Sequence, residues 1–304
     1  MEKYKELKNP IQIGCNTFIP KYLPLDNRAR DRNAIEYYPT GELQSIYLES
    51  IQMIQIECNN LNAEYVTFYK QGQIHRIFPV YGKLSGFWSE EEEKQLLKAN
   101  TVFIGGKFYT GLFSCICFYP SGVVKSLTIW PGESISILYN RKKVTVRNGI
   151  SFYEDGTIKA FEPKEPLMIQ HRSGSYVAFD PLAMGISGDY TSLCFYPNGD
   201  VKSLKTVLTG IYYLKTDKKE KDKNQEKLLR LQPELVVSLY DITEKIIMPM
   251  TIEFTKKHLY ITDSSKRRYK LLLEQVKETY QVVENIPFMT CGDCATCNRC
   301  IKEK

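Results

Sequence analysis

Apolar and polar positions alternate along this chain with a period of two, in short runs broken by glycine-containing turns. That period belongs to a β-strand, whose successive side chains point to opposite faces of a sheet. The clearest run recurs five times. It reads Ile35-Glu-Tyr-Tyr-Pro-Thr-Gly-Glu-Leu-Gln-Ser-Ile46, then Val66-Thr-Phe-Tyr-Lys-Gln-Gly-Gln-Ile-His-Arg-Ile77. It returns as Ile116-Cys-Phe-Tyr-Pro-Ser-Gly-Val-Val-Lys-Ser-Leu127, as Ile150-Ser-Phe-Tyr-Glu-Asp-Gly-Thr-Ile-Lys-Ala-Phe161, and as Leu193-Cys-Phe-Tyr-Pro-Asn-Gly-Asp-Val-Lys-Ser-Leu204. A unit repeated in this way sets the architecture before any single residue does.

Each copy reads as a β-hairpin. In the third, Pro120 presets φ at the first turn position, Ser121 tolerates the second, and Gly122 takes the left-handed position that closes a three-residue turn with a bulge. That turn predicts Tyr119 opposite Val123, Phe118 opposite Val124 and Cys117 opposite Lys125. Phe118 and Val124 then share a core face, while Tyr119 and Lys125 share a wetter one. Shorter alternating stretches lie between copies. Glu133–Leu138, a turn at Arg141-Lys-Lys, and Val144–Val146 predict one hairpin; Leu167–Gln170, a turn at His171–Gly174, and Tyr176–Phe179 predict another. One insert, Trp88–Lys98, reads as a helix, with Ser89 as N-cap, Glu92 as its capping-box partner and acidic residues in the first turn. The fold class expected is therefore all-β: an antiparallel meander of repeated β-hairpins, with a short inserted helix and a cysteine-rich C-terminal tail.

The Phe-Tyr-x-x-Gly-x-aliphatic-Lys-Ser unit resembles the MORN-type repeat, in particular its bacterial variant with Tyr-Tyr-x-x-Gly-x-aliphatic-Lys. Tyr37-Tyr38-Pro39-Thr40-Gly41-Glu42-Leu43 is the nearest copy, and the likeness covers islands between residues 35 and 205. The family's following Gly-x-Trp element is loosely present at Gly86-Phe87-Trp88, and Gln44 and His75 stand where the family has Lys. The resemblance implies a β-hairpin array used for binding or scaffolding, and no particular chemistry.

Composition changes at Lys215–Lys227, a run of both charge signs without an apolar residue, which reads as a solvated linker. The division expected is a hairpin-repeat domain over 1–214, the linker over 215–227, a small β-rich unit over 228–286 and a cysteine tail over 287–304. In the third part Glu234–Tyr240, Thr251–Phe254 and His258–Thr262 read as strands, Lys266–Leu273 is ambiguous, and Glu274–Glu278 pulls toward helix. The net charge of +6 over 304 residues permits an acidic partner without demanding one. The N-terminus lacks an apolar signal segment, and no apolar run nears the roughly 18 residues of a membrane span. A cytoplasmic protein without a membrane anchor is expected, in which nine cysteines are thiols or metal ligands rather than disulfides.

The sharpest chemical signal is Cys291-Gly-Asp-Cys294-Ala-Thr-Cys297-Asn-Arg-Cys300. Thiolates bind soft metals and iron–sulfur clusters. Two Cys-x-x-Cys knuckles around one zinc usually stand far apart in sequence, and here only Ala295-Thr296 separates them. The tail resembles the ferredoxin loop, which holds a [4Fe–4S] cluster. It departs from that loop at the fourth ligand, where the gap is two residues and Ile301 replaces Pro. The [4Fe–4S] cluster is the cofactor expected, with zinc, or a thiol or metal-free tail, as alternatives.

Three isolated histidines, His75, His171 and His258, and the lack of nucleophile-elbow, P-loop or dinucleotide motifs point away from an enzyme. A binding or scaffold protein with a protein partner and a metal-bearing tail is the leading reading. An electron carrier working through the tail is the second. The third is single-stranded nucleic acid on a face where Tyr119, Tyr153 and Tyr196 align with Lys125, Lys159 and Lys202. Oligomeric state is not legible.

Overall fold

The computed structural model describes residues 9–21, 28, 33–82, 84, 88–184, 192–216, 226–237 and 245–282. They are mostly antiparallel β-structure, with one short helix. The chain forms two compact units: Met1–Lys164 with Met184–Thr191 and Phe195–Asp200, and Glu165–Ala183 with Ser192–Cys194 and Val201–Lys304.

In the first unit, eight strands lie side by side in sequence order: Ile35–Tyr37, Leu43–Ile56, Asn59–Phe68, Ile74–Phe78, Phe113–Phe118, Val124–Ile129, Lys142–Phe152 and Ile158–Pro163. The expected turn recurs in every copy. In the third, the Gly122 N–H donates to the Tyr119 carbonyl at 2.9 Å and the Tyr119 N–H to the Val123 carbonyl at 2.8 Å, with Gly122 at φ +85°. Phe118 sits opposite Val124, as the turn chemistry predicts.

One step further the expected register fails. Cys117 pairs with Ser126, not with Lys125. Lys125 is the extra residue of a β-bulge, and the same slip occurs at Gln44, His75 and Lys159. A bulge leaves two residues opposite one and so resets the alternation. Two rows of directly paired residues then cross the sheet. The inner row runs Ile35, Ile46, Val66, Ile77, Ile116, Leu127, Ile150, Phe161, and all but the first are 0% exposed. The outer row runs Glu36, Ser45, Thr67, Arg76, Cys117, Ser126, Ser151, Ala160.

Further hairpins cover the inner face. Two strands of the sheet run on into them. Leu43–Ile56 is interrupted after Tyr47 and re-pairs from Gln52. Lys142–Phe152 bends between Arg147 and Ile150, where Asn148 is left-handed at φ +60°. The hairpins Ile11–Phe18, Asn100–Gly111 and Ile135–Val146 each place an aromatic ring against a sheet phenylalanine: Phe18 on Phe68 at 5.6 Å, Tyr109 on Phe152 at 5.1 Å, and Tyr139 on Phe195 at 5.3 Å between centroids. Edge and offset contacts of this kind add to the area the rings bury. Asparagine side chains tie the hairpins laterally. Asn16 exchanges two 2.8 Å bonds with the backbone of Gln55, and Asn59 accepts from the Phe103 N–H at 2.6 Å. The turn of Ile135–Val146 is Asn140-Arg141, both left-handed, one residue before the expected position.

The helix spans Glu90–Leu96, with Ser89 as N-cap and Glu92 completing the capping box. Leu97, just past its end, packs with Val80 and Trp130.

In the second unit, Val201–Thr206, Met250–Phe254, His258–Thr262 and Arg268–Leu272 form a four-strand antiparallel run. Leu167–His171 pairs with Gly174–Ala178, as expected. Thr209–Thr216 lies between Glu226–Leu231 and Val276–Gln281. The pull toward helix at Glu274–Glu278 yields only a single 3₁₀ turn, Leu273–Gln275, and Val276–Gln281 is a strand, in keeping with a β-rich unit. Glu274 and Lys277 suit a helix, but pairing of Thr279 and Tyr280 with Ile211 and Gly210 decides the matter, since tertiary pairing overrides weak propensity. The charged run joins paired strands, with Lys215 opposite Lys227 and Thr216 opposite Glu226; its centre, residues 217–225, lies outside the described residues. Val177, Phe179, Val207, Leu208 and Ile247 form a core cluster in this unit.

Candidate functional site

The outer face of the first unit's sheet carries the turn tyrosines. Each donates its hydroxyl to the carbonyl of the aromatic core residue in the next copy: Tyr38 to Phe68 at 2.8 Å, Tyr69 to Phe118 at 2.8 Å, Tyr119 to Phe152 at 2.9 Å, and Tyr153 to Phe195 at 2.8 Å. The rings therefore lean from one hairpin across to its neighbour. The outer row beside them is made of small residues, and Cys117, Ser126, Ser151 and Ala160 are all at most 5% exposed. Larger side chains there would compete with the rings for the same space. Neighbouring turns also meet, with the Ser121 hydroxyl donating to Glu154 at 2.5 Å; within the second hairpin the His75 ring lies 4.4 Å from that of Tyr69.

The outer row changes character over the first two copies. There it reads Glu36, Ser45, Thr67, Arg76, and these residues floor a groove of about 360 Å³. Tyr38, Gln44 and His75 border it toward the turns; Tyr65, Phe78 and Tyr81 border it on the far side. That far border is a packed aromatic group, with Tyr65–Tyr81 stacked at 4.7 Å and Phe78–Tyr81 edge-on at 4.8 Å. Glu36 accepts from the Ser45 hydroxyl at 3.0 Å. The Thr67 hydroxyl is enclosed and has no hydrogen-bond partner among the described residues. Arg76 is exposed, and among the described residues its side chain has neither an ion pair nor a hydrogen bond.

Below the far border lies a buried ionic cluster. Arg28 donates Nη1 and Nη2 to Glu64, both at 2.7 Å, and Nε and Nη2 to Glu93, at 2.7 and 2.5 Å. The Tyr81 N–H donates to Glu64, and the Gly82 N–H and Trp88 indole N–H donate to Glu93. Bidentate pairing to both carboxylates uses the fork geometry of the guanidinium. Burial alone would raise the Glu93 carboxyl, but the bonds from Arg28, Trp88 and Gly82 outweigh it and hold its pKa below the usual range. Burial alone would lower that of Arg28, but its bonds to Glu64 and Glu93 outweigh it and raise it. Every group here is occupied, which marks a structural clamp joining three distant segments.

The four cysteines expected to hold a metal, Cys291, Cys294, Cys297 and Cys300, lie outside the described residues. Among the described residues no group of three or more His, Cys, Asp or Glu is placed to hold a metal ion. Cys15 and Cys58 are exposed, Cys115 and Cys194 half-buried, and Cys117 buried within its strand. His171 bonds Ser173 at 2.7 Å and packs on Phe254 at 4.6 Å between centroids. No helix among the described residues is long and apolar enough to cross a membrane.

Reading the sequence alone overlooks Arg76, Thr67, Arg28 and Glu64. For Arg76 a signal is present. After the bulge residue the five copies carry Ser45, Arg76, Ser126, Ala160 and Ser203, so the second copy alone places a charge where the others are small. Arg28 and Glu64 leave no such trace, because their pairing spans 36 residues. No protein-family model matches this chain, and neither do any curated protein or solved structure.

Proposed function

We propose that this chain is a non-enzymatic β-hairpin repeat protein, similar to the MORN type, that serves as a binding scaffold for a protein partner in the cytoplasm and carries a metal, a [4Fe–4S] cluster, on its C-terminal cysteines. The observation that carries the scaffold reading is the tyrosine interlock, in which four successive hydroxyls each latch one copy to the next. A face tied together in this way is preorganised, which lowers the ordering cost of binding. The interlock also weighs against base stacking as the working mode of this face, since the rings are already committed to neighbouring hairpins. The spacing of Cys291, Cys294, Cys297 and Cys300 supports the cluster and keeps electron transfer as the second reading.

Oxygen-free purification followed by iron, acid-labile sulfide and zinc analysis tests the metal assignment. Iron and sulfide in matching amounts are expected in the wild type and lost in Cys294→Ala. Iron and sulfide content unchanged in that variant, or zinc alone, overturns the cluster. Reversible bleaching of its absorption on reduction favours the electron carrier, and a redox-silent cluster favours the scaffold.

A further inference from the structure

We propose that the groove over the first two copies binds a linear zwitterion, namely a short unblocked peptide of about four residues, with its carboxylate on Arg76 and its ammonium on Glu36. The proposal rests on the groove itself and does not depend on the terminal cysteines.

The repeat's own pattern motivates it. In the slot before the core aromatic the copies carry Glu36, Thr67, Cys117, Ser151 and Cys194; in the slot after the bulge, Ser45, Arg76, Ser126, Ala160 and Ser203. These are the slots that pair into the outer row. Charge enters that row as one acid and one base, and both floor the same groove.

Their placement sets the ligand's length. Glu36 and Arg76 stand three inter-strand steps apart, roughly 14 Å at about 4.8 Å per step. An extended chain spans about 3.3–3.5 Å per residue, so the termini of a tetrapeptide match that separation, while a free amino acid reaches one charge only.

Unspent hydrogen-bonding capacity points the same way. The Arg76 side chain is exposed with no partner among the described residues. A carboxylate on the guanidinium would supply that partner, and such charge-assisted bonds are the strong kind. Among the described residues the Glu36 side chain has only the Ser45 hydroxyl as a partner, which leaves lone pairs for an ammonium. The half-buried rings of Phe78 and Tyr81 border the groove and offer apolar contact to peptide side chains.

The test is titration calorimetry of the full-length protein with tetra-alanine, its C-terminal amide, its N-acetyl derivative, and free alanine. Tetra-alanine binding is expected, with about a tenfold or greater loss on blocking either terminus and a larger loss for free alanine. Arg76→Ser installs the residue that other copies already carry, and it should keep the native circular dichroism while weakening tetra-alanine about tenfold. In that variant the amide and the free acid should bind equally. No binding of tetra-alanine at roughly millimolar concentration overturns the proposal. So does equal affinity for the acid and the amide on the wild type, a result that stands even if the variant fails to fold.

Discussion

Tyr119 shows what one residue does in this protein. Its backbone closes a turn through the Val123 carbonyl and the Gly122 N–H, while its hydroxyl reaches the Phe152 carbonyl of the next copy. One side chain thus fixes a hairpin and its neighbour. Tyr119→Phe removes a single hydrogen bond and little else, so it should cost about 1 kcal/mol. Tyr37→Phe, at an exposed ring, should be neutral within about 0.5 kcal/mol. Urea-denaturation midpoints of the two variants measured side by side check the difference; equal midpoints would show that the latch contributes nothing. Glycines differ by surroundings in the same way. Gly199 is left-handed with open space around it, whereas a Cβ on Gly156 would stand 2.7 Å from the Gly105 Cα. Gly199→Ala should cost about 1 kcal/mol from φ alone. Gly156→Ala should cost about 3 kcal/mol, because backbone must move as well, and thermal melts of both variants would reveal it.

At the scale of elements, the bulge decides which residues face which way. Without it Lys125 would pair with Cys117, and Ser126 would leave the outer row. The bulge recurs at Gln44, His75 and Lys159, so the small residues line up across the sheet and the tyrosine rings find room beside them. The helix Glu90–Leu96 is set locally: four acidic residues in its first turn and the Ser89–Glu92 box fit the dipole and satisfy orphan amides. Ser89→Ala should cost about 1 kcal/mol. Because the helix carries Glu93, that loss should also speed hydrogen exchange at the Trp88 indole, which donates to Glu93 at 2.6 Å. Unchanged indole exchange would separate the cap from the clamp.

Across the first unit as a whole, the Arg28 clamp ties residues 28, 64 and 93 through buried charge. Removing one partner of such a cluster leaves an uncompensated charge, so Glu93→Gln should destabilise by about 3 kcal/mol. The pH dependence follows in sign. The folded pKa of Glu93 lies below its unfolded value, so its contribution is complete above the ordinary carboxylate range and is lost as pH falls through the folded pKa. Melting temperatures recorded from about pH 7 down to pH 3 should fall on acidification, and less steeply in Glu93→Gln. Parallel curves for the two proteins would show that the carboxylate does not titrate with unfolding.

Strands, turns, the core face and the helix cap were legible in the residues themselves. Alternation, left-handed glycine and the Ser-x-x-Glu box act over a few positions, and local sterics and capping decide them. Thus Phe118 opposite Val124 could be read from a turn. The bulge that turned Cys117 toward Ser126 could not, since it depends on how neighbouring hairpins share the sheet. Strand Val276–Gln281 likewise became a strand only by pairing with Thr209–Tyr213. The clamp of Arg28 with Glu64 and Glu93, and the groove that sets Glu36 and Arg76 on one floor, join residues far apart in sequence. Such contacts exist only once the chain has closed the loops between them, so the tertiary structure alone decided them.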